Sequence, residues 1–94
     1  MQKVIIVQPM FGERFVSDLI EIPSHMTLDA LWEALNGQGE NHVLRKKIHY
    51  SLSVGDYIFY RERWYRVASV NFEIVEWSEV IASIDPNRDP MRYR

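Results

Sequence analysis

The sequence predicts a single small α+β domain, a mainly antiparallel or mixed sheet of about five strands with one main helix packed on it, in the order ββα then βββ. Three observations predict it. The chain has 94 residues, 47% of them apolar and 26% charged, which supplies one core and not two. Short runs rich in β-branched and aromatic residues recur at Lys3–Gln8, Phe15–Ile22, Tyr57–Tyr60, Trp64–Val70 and Phe72–Trp77. Between the second and third run lies one stretch with helical periodicity and a full set of helix-start signals. The domain is expected to span residues 1–85, with 86–94 as an extended tail that holds two prolines and no apolar period.

Lys3–Gln8 (KVIIVQ) has four consecutive apolar residues, the composition of a strand covered on both faces and central in its sheet. Pro9 ends it by removing a donor, and Gly12 lets the backbone turn back. In the second strand a period of two places Val16, Ile20 and Ile22 on one side with Asp18 among them, which points to a bulge or to a carboxylate near the sheet margin. Pro23 stops that strand. Thr27 is a natural N-cap, Asp29 sits in the favoured first turn, and Met26 and Leu31 have the spacing of a hydrophobic staple. A helix over 28–36 follows, with Leu28, Leu31, Trp32 and Leu35 as its buried face and Gly37 at its end. Trp32 is therefore expected in the core.

Residues 38–50 read as a polar loop leading into a basic segment in which Val43, Leu44 and Ile48 can anchor a short helix. Gly55-Asp56 predicts a tight turn, the glycine taking positive φ and the aspartate bonding nearby amides. Tyr57–Tyr60 and the return strand from Trp64 form a hairpin with Arg61–Arg63 at its tip; without Asn or Gly there, a loop longer than a two-residue primed turn is expected. Pairing Tyr60 with Tyr65 puts Ile58, Tyr60, Tyr65 and Val67 on one face, and Tyr57, Phe59, Arg61, Trp64, Arg66 and Ala68 on the other. Phe72–Trp77 reads as a further strand, and 79–84 as either a short strand or a helical turn capped by Ser78.

Eight of the twelve aromatic residues fall between Tyr50 and Trp77. Arg, Tyr and Trp dominate interface hot spots because they bury large areas with few rotatable bonds. The candidate protein-binding residues are accordingly Tyr57, Phe59, Arg61, Arg63, Trp64 and Arg66. An alternative in which Tyr57 and Phe59 are core and the arginines lie over Trp64 uses the same residues structurally.

Arg45, Lys46 and Lys47 are the densest cationic run and the candidate nucleic-acid contact, with Arg61, Arg63 and Arg66 as added phosphate ligands. The net charge of −2 works against long-range steering toward nucleic acid. The absence of cysteine removes disulfides, thiolate ligands and thiol nucleophiles. His42 and His49 are seven apart with His25 remote, which fits no zinc spacing, so surface histidines and no metal or cofactor are expected. No glycine-rich phosphate loop or nucleophile elbow occurs, so the chain is expected not to be an enzyme. The start MQKVIIVQPM is too short in apolar residues for a signal peptide or a span, giving the expectation of a cytoplasmic protein with no membrane contact.

Two resemblances add to this. The hairpin followed by a helix resembles the first half of a ubiquitin-like β-grasp fold. The run Ser51-Leu-Ser-Val-Gly-Asp56, followed by Tyr65-Arg66-Val67-Ala68-Ser69-Val70 and Phe72, is similar to YodL-like domains of small plasmid and phage proteins, with Asn71 where that pattern has Gly. The resemblance implies an accessory protein of a mobile element. The expected function is a non-enzymatic protein-binding module that inhibits a host defence complex, as anti-CRISPR proteins do. The expected partner is a host or phage protein complex, with homo-oligomerisation open; the alternative is a small nucleic-acid-binding accessory protein.

Overall fold

A computed structural model describes residues 1–9 and 14–85. The Gly12 turn and the tail expected from residue 86 onward lie outside them. The strands are β1 (Gln2–Gln8), β2 (Phe15–Val16), β3 (Ile20–Ile22), β4 (Tyr57–Tyr60), β5 (Arg63–Val67) and β6 (Phe72–Val75), and the helices are α1 (Leu28–Ala34) and α2 (Trp77–Ile84), with a 3-10 helix at His42–Lys47. All strand pairs are antiparallel, in the order β2-β1-β4-β5-β6, with β3 also on β1. The α+β class holds. The expected single layer of helix becomes two, because α2 packs on the sheet face opposite α1.

β1 is central, as its apolar run requires. Val4, Ile6, Ile58, Tyr60 and Val67 turn to the α1 face and join Ile20, Ile22, Leu31, Leu35, Ile48 and Leu52 in the main core. Val7 and Tyr57 turn to the α2 face and close on Val80.

The second strand is broken by a bulge. Val4 pairs with Ile20 while Val7 pairs with Val16, so three residues oppose two and the register slips by one. Ser17 fills the break: its N–H donates to the Ile6 carbonyl, and its Oγ accepts the Ile6 N–H at 2.9 Å. The slip sends Val16 to the face opposite Ile20 and Ile22, so Val16 is exposed while those two are buried, against the shared side read from period two.

In α1 the Thr27 hydroxyl accepts the Ala30 N–H at 3.1 Å, and Met26 and Leu31 are buried as a staple requires. The helix ends early, at Ala34. Gly37, at φ +80, lets its own N–H reach the Ala34 carbonyl and the Gln38 N–H reach that of Glu33. Trp32 is not in the core: it is 39% exposed. The buried stripe runs through Leu28, Leu31, Ala34 and Leu35, and at 100° per residue its centre lies roughly a quarter turn from Trp32.

The β4–β5 hairpin also differs. Tyr60 pairs with Arg63, leaving Arg61 and Glu62 as a two-residue turn with φ of 48° and 66°. This is the primed turn that the lack of Asn or Gly argues against, formed because its twist matches that of the strands. The register therefore moves by two residues from the Tyr60–Tyr65 pairing. An even slip keeps every strand residue on its expected face. Residues 77–84 are helical, not strand; Glu76, and not Ser78, is the N-cap residue, with no side-chain hydrogen bond. No helix among the described residues is long and apolar enough to cross a membrane.

Two outcomes test this description. Leu31→Ala should cost about 2–5 kcal/mol in urea unfolding, against about 1 kcal/mol for Trp32→Ala. Glu62→Gly should raise stability by about 1 kcal/mol by relieving a left-handed non-glycine residue.

Candidate protein-binding surface

On the α2 face the strands align side chains into two neighbouring rows. The first is Val7, Tyr57, Arg66 and Glu73, each paired with the next across β1, β4, β5 and β6. Helix α2 lies over it. Val80 seals Val7 and Tyr57, and Glu79 accepts the Tyr57 hydroxyl at 2.9 Å and an Arg66 N–H at 2.8 Å. Arg66 also donates to Glu73 at 3.1 Å. Burial, and then the hydrogen bond to Glu79, pushes the Tyr57 phenol up to about 12. The carboxylates, Glu73 first, hold the Arg66 guanidinium above its ordinary value. These charges are spent within the fold.

The second row is Ile5, Phe59, Trp64 and Val75, paired in the same way. All four are half-buried. Trp77, the first residue of that helix, stands over Trp64 at 5.4 Å between ring centroids, and Trp64 stands over Phe59 at 5.1 Å. Trp77 remains 50% exposed. Three aromatic rings thus contact one another in sequence, tilted by 50° and 33°, along the half-buried margin of the face.

The six residues singled out by composition therefore separate. Phe59 and Trp64 lie in the open row. Tyr57 is buried and Arg66 is paired in the covered row. Arg63 pairs with Tyr60 and so belongs to the α1 face. Arg61 was expected beside Trp64; the left-handed turn instead carries its guanidinium to Gln2 Oε1 at 3.4 Å and the Ser24 carbonyl at 3.3 Å, with its charge over the Tyr60 ring. Ile5, Val75 and Trp77 complete the open row and were not among the candidates.

The basic run divides as well. Arg45 donates to Ser51 Oγ and the Ile48 carbonyl. Lys46 and Lys47 are exposed, but they share a shallow depression with Asp18 and Glu21, which offset their charge locally. The three histidines are exposed, and among the described residues no group of three or more His, Asp or Glu is placed to hold a metal ion.

A buried polar network holds the loop before β4. Asp56 is fully buried; its Oδ2 accepts the Ser53 N–H at 2.9 Å and Gln8 Nε2 at 3.2 Å, and its Oδ1 accepts the Tyr50 hydroxyl at 2.9 Å. Gln8 also gives Nε2 to the Tyr50 carbonyl at 2.7 Å, and its Oε1 takes the His49 N–H at 2.8 Å. Burial pushes the Asp56 carboxyl up, against the lowering pull of those donors. Every donor on Asp56 belongs to the chain itself, so this shifted acid is a structural clamp.

Comparison with family models, with curated proteins and with solved structures returns no match, and the surface is read from its geometry.

Asp56→Ala removes the acceptor of three hydrogen bonds and should cost roughly 2–5 kcal/mol, whereas Asp56→Asn, whose amide can donate to the Tyr50 oxygen while its carbonyl accepts from Ser53 and Gln8, should cost far less. Between the ordinary carboxyl value and the raised one, the folded chain holds a proton that the unfolded chain has lost. Wild-type stability relative to Asp56→Asn should therefore fall as pH rises through that window, as read from urea unfolding of both proteins from pH 4 to neutrality.

Proposed function

We propose that the chain is a non-enzymatic protein-binding module that contacts its partner through the Phe59–Trp64–Trp77 stack and the flanking Ile5 and Val75. The carrying observation is the contrast between the two rows: the charges of the polar one are paired with each other within the fold, while the aromatic one offers half-buried apolar rings beside Trp77, which is 50% exposed. A partner that covers the stack removes large apolar area from water at low entropic cost, because the rings already hold one another in place. The arginines expected at the contact serve the scaffold in this reading, and the apolar row carries the affinity. The setting, an accessory protein of a phage or plasmid that blocks a host defence complex, rests on the Ser51–Asp56 resemblance alone.

The nucleic-acid reading loses support from the geometry. Arg45 and Arg66 are committed to internal partners and so are less available to a phosphate backbone.

Immobilised wild-type chain should capture a protein from a bacterial host lysate. Trp64→Ala/Trp77→Ala should weaken that capture at least about tenfold while keeping a cooperative thermal transition, and Arg45→Ala/Lys46→Ala/Lys47→Ala should leave it intact. Full capture by the folded tryptophan variant removes the surface from consideration. A low-salt mobility shift that the basic variant abolishes would establish the nucleic-acid reading instead.

A further inference from the structure

β6 ends the sheet: β5 pairs with one side of it, and among the described residues no strand pairs with the other. The bond from the Ala68 N–H to the Asn71 carbonyl, at 2.8 Å, sets the phase of the β5–β6 ladder. Hydrogen-bonded and non-bonded pairs alternate from that point. Glu73 and Val75 therefore turn their backbone groups toward β5, and Phe72 and Ile74 turn theirs outward. The outward Phe72 N–H is already taken by Asn71 Oδ1 at 2.9 Å. What remains at the edge is the Phe72 carbonyl and both backbone groups of Ile74.

The side chains at this edge invite pairing. Ile74 is 61% exposed, although it shares its face with the buried Ile58 and the half-buried Tyr65. Val70, at the head of the strand, is 95% exposed. Edge strands are ordinarily protected by lysine, proline or a bulge. β6 (FEIV) has none of these, and its one charge, Glu73, is drawn toward Arg66 on the α2 face.

We propose that this edge joins two copies of the chain, β6 against β6 in antiparallel sense, about a two-fold axis that passes through Ile74. A two-fold axis perpendicular to the sheet keeps each residue on its own face, so the axis must fall on a residue and not between two. An axis on Glu73 sets two carboxylates directly opposite each other. It also requires the Phe72 N–H for the carbonyl of the partner's Ile74, and Asn71 already holds that N–H. An axis on Ile74 separates the carboxylates, and the Phe72 N–H then faces the partner's Glu76 carbonyl, which lies beyond the strand and already accepts the Glu79 N–H, so no bond is asked of it. Ile74 then exchanges both backbone hydrogen bonds with the partner's Ile74, the two isoleucines pack on each other, and Glu73 lies opposite the partner's Val75. The contact is centred on the sheet edge and the Ile74 side of the sheet; on the α2 face it touches the aromatic row only at its last member, Val75.

Sedimentation velocity of the full chain should show a concentration-dependent dimer. Ile74→Lys should raise its dissociation constant by on the order of a hundredfold while the circular dichroism spectrum and thermal transition persist. Because the chain has no cysteine, introduced thiols report the register cleanly. Under mild oxidation a mixture of Glu73→Cys and Val75→Cys chains should form the mixed disulfide in preference to either self-linked product. A wild-type chain that stays monomeric, an Ile74→Lys chain that stays dimeric, or preferential self-linking of Glu73→Cys would each overturn the proposal.

Discussion

The buried contact between Gln8 and Asp56 is the constraint on which the arrangement of the sheet depends. Gln8 closes the first strand and Asp56 opens the fourth, so the contact joins segments 48 residues apart in sequence. The side-chain amide of Gln8 behaves as an added peptide group: it gives a hydrogen to the Tyr50 carbonyl and accepts one from the His49 N–H, so the loop over Ile48–Ser53 is tied down although it contains no strand. Burying a carboxylate has a cost in desolvation, and an apolar residue at 56 would avoid it. An apolar residue would also remove the acceptor of three hydrogen bonds, from the Ser53 N–H, the Tyr50 hydroxyl and one hydrogen of Gln8 Nε2, and their loss outweighs one desolvated acid that is well bonded. No buried side-chain polar atom among the described residues lacks a partner.

Consequences run outward from that clamp. Fixing Asp56 starts β4 beside β1, with Tyr57 opposite Val7 and Phe59 opposite Ile5. The tight Arg61-Glu62 turn then sets Trp64 opposite Phe59, and the second hairpin sets Val75 opposite Trp64. The polypeptide turns into α2 directly after β6, so Trp77 meets Trp64 while Glu79 and Val80 close on Tyr57 and Val7 in the neighbouring row.

Much of this was legible in local chemistry. The KVIIVQ run marked the central strand, Thr27 with Met26 and Leu31 marked the helix start, and Gly55-Asp56 marked the turn, because each depends on neighbours within a few residues. The faces of the β4–β5 hairpin were also legible, since parity survives an even slip in register. Four things were not. Ser17 substitutes its hydroxyl for a ladder acceptor, which lets one residue bulge out and reverses Val16; Asp18 hinted at the break but not at which side chain would repair it. Trp32 follows helical spacing yet lies off the stripe, which runs through Leu31, Ala34 and Leu35. Helix α2 carried a visible signal in Trp77, Val80, Ile81 and Ile84, which fall at i, i+3, i+4 and i+7. Assigning Trp77 to the preceding strand removed the first member of that pattern and left 79–84 open between a strand and a helical turn, and the roles of Glu79 and Trp77 were hidden for the same reason. The Gln8–Asp56 contact had no local signature at all, since its two ends are remote in sequence.

The two proposed surfaces have a geometric relation that neither has alone. A two-fold axis through Ile74, perpendicular to the sheet, keeps both Trp64 rows on the same side of one continuous sheet. The two stacks would then face a partner together. A partner that is itself symmetric, or that repeats its epitope, would meet two sites held at a fixed spacing, and the second contact would form at high effective concentration with no new chemistry in either stack. Disruption of the β6 edge would therefore weaken capture of such a partner even though Ile74 lies on the opposite face from Trp64, and would leave capture of a partner with a single epitope unchanged. Affinity at the aromatic row and pairing at the sheet edge are separable by mutation, and the valency of the partner decides whether they are coupled in binding.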